Sequence, residues 1–236
     1  MPSLSGFRNW GNDHRGDDRH AAESVFIVGL GRFGTALAKK LVTLDIEVMA
    51  IDTDSDLVTT WADELTHTVV ADATNATVLE QLGAKNFDAA VVAIGTGIES
   101  SVLATAALWD AGCKNIWAKA ISDEHRHILE RVGAHHVVQP EKQMGERVAR
   151  IVANHVVDYF ELDDGFVLAE VEAPDCLVDR SLSDSEIRAK FGVTVVAIKP
   201  VDGTFTYATA DTVPSEGDLL VAAGAIKDIE RFSKLR

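Results

Sequence analysis

The sequence predicts an α/β chain: a doubly wound parallel sheet, a connector helix and a small α+β domain beyond it. Three observations carry this. Short aliphatic runs alternate with amphipathic helical patterns between residues 25 and 139, as expected of parallel strands buried on both faces. A glycine-rich turn, Gly29-x-Gly31-x-x-Gly34, follows the first of these runs and opens a helix. Beyond residue 161 the rhythm changes to alternating strands with a hairpin signal, which belongs to an antiparallel sheet.

Residues 1–23 mix charges, Gly and Asn without periodicity and read as a disordered tail; Phe7 and Trp10 are its only candidate contacts for a partner. The run VFIVGL is the first strand, followed by a helix from Phe33 to Leu44. IEVMAID is the second strand, followed by a helix over Asp56–Leu65 and the strand HTVVA. A short helix carries VLEQLG, and FDAAVVAIG is the fourth strand. A helix over Glu99–Ala111, strand NIWAKA, helix EHRHILERVG and strand AHHVVQ complete a Rossmann-like domain, residues 24–140. Gly83, Gly112 and Gly133 stand where these helices should stop, since a left-handed cap favours glycine. After Pro140, residues 141–160 read as one connector helix. Residues 161–236 hold strand GFVLAEVEA, helix SLSDSEIRAKF, strand VTVVAIKP, a turn at Asp202-Gly203, strand DLLVAAG and helix IKDIERFSK.

Composition removes several function classes. The chain has 22 basic and 37 acidic residues, a net charge of −15, so no basic surface exists to neutralise nucleic-acid phosphates. The acidity is shared: residues 161–236 alone hold 8 basic and 15 acidic residues. Cys113 and Cys176 fit no metal or redox spacing, consistent with a reducing cytoplasmic compartment. No apolar run approaches the roughly 18 residues that span a bilayer, and no signal-peptide core is present; if the protein works at a membrane, another chain does the spanning.

The glycine loop is a phosphate-binding device. Asp52 ends the second strand, 23 residues after Gly29, where a carboxylate accepts both ribose hydroxyls of an adenosine nucleotide and disfavours a 2′-phosphate. Asp72-Ala73, after the third strand, lies where an adenine edge is read. Asp54 either assists Asp52 or caps the next helix. Arg32 is the departure, because a cation at a positive helix end is unfavourable unless an anion is near. It either swings to solvent or reaches terminal phosphates, which ATP or ADP would supply and NAD(H) would not. The rest of the chain offers no chemistry. Residues 161–236 contain no histidine; His125 and His127, two apart, share no helix face; Ser100-Ser101 reads as a capping pattern. No catalytic residue is assigned, and the expectation is that the chain is not an enzyme. An NAD(H)-binding sensor or small NAD-dependent oxidoreductase is the alternative, and an interaction module with an unused pocket a third class.

The segments FIVGLGRFGTALAKKL, EVMAIDTD, VVADAT, VVAIG, NIWAKA and QPEKQMGERVA resemble, in this order, the regulatory subunits of bacterial Ktr/Trk potassium-uptake systems, the Ktr branch above all. The resemblance covers nearly all of residues 24–236 and implies an RCK N-terminal domain and a smaller RCK C-terminal domain. It implies ATP and ADP as ligands, with a divalent cation, Mg2+ or another, between adjacent phosphates. It implies a ring of dimers assembled to an octamer, peripheral to the cytoplasmic face of the membrane beneath a potassium-translocating subunit. Carried onto this chain, Arg32 resembles the arginine that reaches a neighbour's terminal phosphate, Lys119 and His125 resemble nucleotide contacts, and Glu141 the carboxylate that helps hold the cation. Phe33, Thr53, Ile94, Gly95 and Thr96 complete the expected nucleotide site. Glu141 equally suits a helix start, where the dipole favours an acid. Arg188, in EIRAKFG, resembles the arginine of a cyclic di-AMP site in the C-terminal domain, a ligand whose use varies within the family. Asp72 departs from the Asn of some Ktr proteins.

Overall fold

A computed structural model describes residues 22–153 and 156–235; most of the expected tail, with Phe7 and Trp10, lies outside the described residues. The chain forms two compact units, with Lys142 the last residue of one and Gln143 the first of the other.

The first unit runs β1 (Ser24–Val28), α1 (Arg32–Val42), β2 (Glu47–Asp52), α2 (Ser55–Trp61), β3 (His67–Val70), α3 (Ala76–Gln81), β4 (Ala89–Val92), α4 (Ile98–Asp110), β5 (Ile116–Lys119), α5 (Asp123–Arg131) and β6 (His136–Val138). Its strands form a six-stranded sheet in the order β3-β2-β1-β4-β5-β6, and every pairing is parallel. Side chains alternate across the pleat, so each strand feeds two cores. Phe26 and Val28 of β1 join Leu79, Leu108 and Leu129 from α3, α4 and α5. Val25 and Ile27 join Ala38 and Val58 from α1 and α2. Both faces are covered, which is why the strands read as unbroken apolar runs.

The sheet reverses direction of growth at β1, which pairs with β2 on one side and β4 on the other. The connections leaving β1 and β4 therefore diverge to opposite faces and open a crevice at the strands' C-terminal ends, where ligands of such sheets bind.

Two sequence expectations are corrected here. Gly97, not Ser100 or Ser101, is the N-cap of α4; Ser101 lies inside the helix, fully buried. The connector helix does not reach Phe160. It is α6, Pro140–Ala153, and Val156–Glu161 is instead strand β7. The apolar spacing of Met144, Val148 and Val152 continues a helical pattern, but Val156, Val157, Tyr159 and Phe160 are strand-forming types, and a partner edge is available to them.

That edge is β8 (Phe166–Glu172), which pairs antiparallel with β7. The second unit continues with α7 (Leu182–Ser185), α8 (Ile187–Phe191), β9 (Thr194–Lys199), β10 (Thr206–Tyr207), β11 (Leu219–Ala225) and α9 (Ile226–Phe232). The five strands lie in the order β10-β9-β11-β8-β7. Val167, Ala169 and Val171 pack with Leu220, Ala222, Ile229 and Phe232 on one face. The helix expected over 181–191 is broken at Glu186, whose left-handed backbone (φ 53°) separates α7 from α8. The Asp202-Gly203 turn joins β9 to β10 through a loop, with Ile198 facing Thr206. Among the described residues no helix is long and apolar enough to cross a membrane.

Because β7 closes one edge of this sheet, residues 143–236 should fold as a unit, whereas residues 161–236 lose a strand and bare an unpaired edge. The shorter fragment should melt at least about 5 °C lower, the shift that roughly 1 kcal/mol gives a domain of this size. Equal midpoints by circular dichroism would contradict the pairing of β7 with β8.

Candidate functional site

The crevice is built from its glycines upward. Gly29 leaves β1 with φ +101°, and its N–H donates to the Ile51 carbonyl at 2.8 Å. A Cβ on Gly34 would stand 1.9 Å from the Gly29 carbonyl oxygen, so only glycine lets α1 start this close to β1. A Cβ on Gly31 would meet nothing within 4 Å: the space above this N-cap is open to a ligand. Gly31 has no side-chain capping bond, which leaves the amides of the first turn of α1 to be satisfied by something else.

Asp52 holds the loop. Its Oδ2 accepts the Leu30 N–H at 2.7 Å and its Oδ1 accepts the Asp54 N–H at 3.0 Å. Each carboxylate oxygen keeps a further lone pair, so the same residue can also receive ribose hydroxyls. Asp54 caps α2 by accepting from Asp56 N–H (2.9 Å) and Leu57 N–H (3.3 Å); of its two expected roles, this is the one its contacts display. Thr53 is exposed beside it. Asp72 accepts the Thr74 N–H at 2.9 Å and the Thr74 hydroxyl at 2.8 Å, and these two bonds hold its carboxyl below the usual range. Ala73 is buried in the core beneath.

On the β4–β5 side, Lys119 ends β5 and is buried, 8% exposed. Its Nζ lies 5.7 Å from the centre of the Phe33 ring and 3.1 Å from where a Gly95 Cβ would be. It donates to Glu141 Oε1 at 2.7 Å. Ile94 packs on the core and Thr96 is exposed. Lys119 is the main cause, and Arg32 a lesser one, that holds the Glu141 carboxyl below its usual range. Arg32 is exposed and makes no ion pair within 4 Å among the described residues. His125 is buried, its Nδ1 facing the Ile121 N–H at 3.4 Å. Burial pushes its pKa down, and its Nε2 has no partner among the described residues. The loop residues thus meet Asp52 on one side and Lys119 and Glu141 on the other. In the second unit, Arg188 is exposed and donates from Nε to Thr194 Oγ1 at 3.0 Å.

Sequence reasoning missed one pair beside this site. Lys142 Nζ binds both Asp123 oxygens at 3.0 Å; the two stand 19 residues apart, and nothing in their local patterns announces the contact.

A glycine loop at a sheet's switch point, with an acid closing the next strand, defines a Rossmann nucleotide-binding domain, here followed by a small antiparallel α+β domain. Residues 25–140 match the TrkA-N domain and residues 166–236 the TrkA-C domain. The chain is 41% identical to Ktr system potassium uptake protein C of Bacillus subtilis (strain 168), over 88% of this chain and 95% of that one. It is 37% identical to Ktr system potassium uptake protein A of the same organism, over 87% and 93%. Among solved structures, the GsuK RCK domain superposes with a TM-score of 0.64 at 20% identity, covering 92% of this chain and 48% of that one. The GsuK channel bound to NAD does so at 0.64 and 20%, covering 93% and 40%; this chain spans less than half of either, and the likeness is one of fold. The chain belongs to the Ktr/Trk family of potassium-uptake regulatory proteins.

Two outcomes follow from the geometry. Asp52→Ala leaves the Leu30 N–H without its acceptor and should lower unfolding stability by about 1–3 kcal/mol even without nucleotide; an unchanged denaturation midpoint would remove Asp52 as the loop's anchor. The Glu141 carboxyl, depressed by Lys119, contributes stability above the ordinary glutamate range and loses it as the pH falls through its lower folded value. Its NMR titration midpoint should lie below the ordinary glutamate value and rise in Lys119→Gln; a midpoint already ordinary in the wild type would dismiss the pair.

Proposed function

We propose that this chain is the nucleotide-sensing regulatory subunit of a potassium-uptake system, working at the cytoplasmic face of a membrane-embedded potassium-translocating partner. The observation that carries the reading is the convergence of loop, acid and cations. Open space above Gly31 faces first-turn amides and a helix dipole that favour phosphate, with Arg32 on the loop and Lys119 at its edge. Asp52 would receive the ribose, residues 72–73 the adenine edge, and Phe33, Ile94, Gly95 and Thr96 would line the phosphates. The unpartnered His125 Nε2 is a donor to spare.

These residues suit the adenosine diphosphate half shared by ATP, ADP and NAD(H), and the GsuK channel, similar in fold, is known bound to NAD. Arg32 favours the nucleotides with a charged end. Sensing then means that ATP and ADP stabilise different shapes of a ring of these subunits, because a ligand shifts an equilibrium only by its differential affinity. Among the described residues no three His, Cys, Asp or Glu side chains cluster for a metal. Glu141 alone fits a divalent cation whose remaining ligands are phosphate oxygens, the manner in which Mg2+ is usually held; such an ion would neutralise phosphate charge. The second unit would take cyclic di-AMP through Arg188, whose guanidinium suits a phosphate.

Arg32→Ala should keep nucleotide binding but shrink the preference for ATP over ADP, and blunt ATP-dependent potassium flux through the partner in vesicles. Paired calorimetric titrations of ATP, ADP and NADH into both variants test this. Equal losses for ATP and ADP with flux intact would assign Arg32 to solvent, and tighter binding of NADH than ATP would favour an NAD(H) sensor.

A further inference from the structure

Among the described residues, buried Lys119 has a single carboxylate at hydrogen-bond distance, and that carboxylate is not fixed by burial. The Glu141 side chain is 67% exposed, against 10% for Lys119. What keeps it over Lys119 is the placement of its backbone in the first turn of α6. The next residue in sequence, Lys142, binds Asp123 in the first turn of α5. Lys142 approaches both oxygens at 3.0 Å. Lys142 is the main cause that holds the Asp123 carboxyl below its usual range. Arg126 stands at 4.0 Å from the same carboxylate and is itself paired with Glu130 at 2.9 Å. Asp123 therefore ties the start of α5 to the residue that follows Glu141.

We propose that Asp123 is a positioning residue: through Lys142 it sets Glu141 on Lys119, so that Glu141 competes with nucleotide phosphates for this lysine and tunes the affinity of the crevice. The inference rests on the nucleotide reading of the crevice. A carboxylate and a phosphate held on one ammonium repel each other, so phosphate binding displaces Glu141 from Lys119. Displacement leaves Lys119 with an anion in either case, as a buried cation requires. It also turns Glu141, an exposed side chain, into a carboxylate free for another cation. Asp123 is unchanged by the exchange, which makes it a fixed support and not a ligand.

The test is a double-mutant cycle with ADP in the presence of chelator. Glu141→Gln should tighten ADP binding by roughly two- to fivefold, the scale of an exposed charge pair. Asp123→Asn should tighten it in the same direction, and the Glu141→Gln/Asp123→Asn double variant should bind as Glu141→Gln alone. An unchanged or weaker affinity in Glu141→Gln overturns the competition. Additive effects in the double variant overturn the positioning role. A second measurement needs no nucleotide: in a crystal structure of the nucleotide-free Asp123→Asn variant Glu141 should have left Lys119, and an unmoved Glu141 overturns the positioning role. If the wild type binds no ATP, ADP or NADH at millimolar concentration, the nucleotide reading fails, and with it the competition. The positioning of Glu141 by Asp123 is then still decided by the nucleotide-free structure.

Discussion

The first unit depends on one close approach, that of Gly34 to the Gly29 carbonyl oxygen, where a Cβ would stand at 1.9 Å. This contact lets α1 begin directly against the end of β1. Everything else about the crevice is a consequence. The positive end of α1 is aimed at the strand ends, Gly31 faces open space, and Arg32 is projected from the first turn. A larger residue at Gly34 would push α1 away from the sheet and dismantle the alignment that makes the N-terminus attractive to an anion.

The electrostatics of the crevice are organised as cations in search of anions. Arg32 stands at a helix end that already carries positive charge, and Lys119 is nearly buried. Among the described residues the counter-charge that meets Lys119 is Glu141, whose side chain is mostly exposed. Such a pair adds little stability, because its carboxylate is screened, but it is easily exchanged. A well-paired buried bridge would resist a ligand; this one is suited to yield to it.

The second unit has different physics. Its sheet is covered on one face by α9 and has two edges, β10 and β7. β7 is bound to α6 by Arg147, whose Nε donates to Asp158 Oδ1 at 2.9 Å. Both side chains are about half exposed. The pair joins the helix to the strand that follows it.

The local sequence by itself determined the parallel sheet, its order of elements, the glycine loop and the acid at the end of β2, because each rests on periodicity or spacing within one or two elements. It determined the Asp54 cap as one of two readings, since an acid before a helix is a local device. Tertiary structure alone decided where α6 ends: residues 156–160 become strand because β8 offers them an edge. It also decided that Gly97 and not the serines caps α4, since Ser101 is drawn into the core. Lys119 and Glu141 stand 22 residues apart, and Lys142 and Asp123 stand 19 apart. Their meeting depends on how β5, α5 and α6 close over one corner of the sheet, and no pattern along a single element encodes a contact made between three of them.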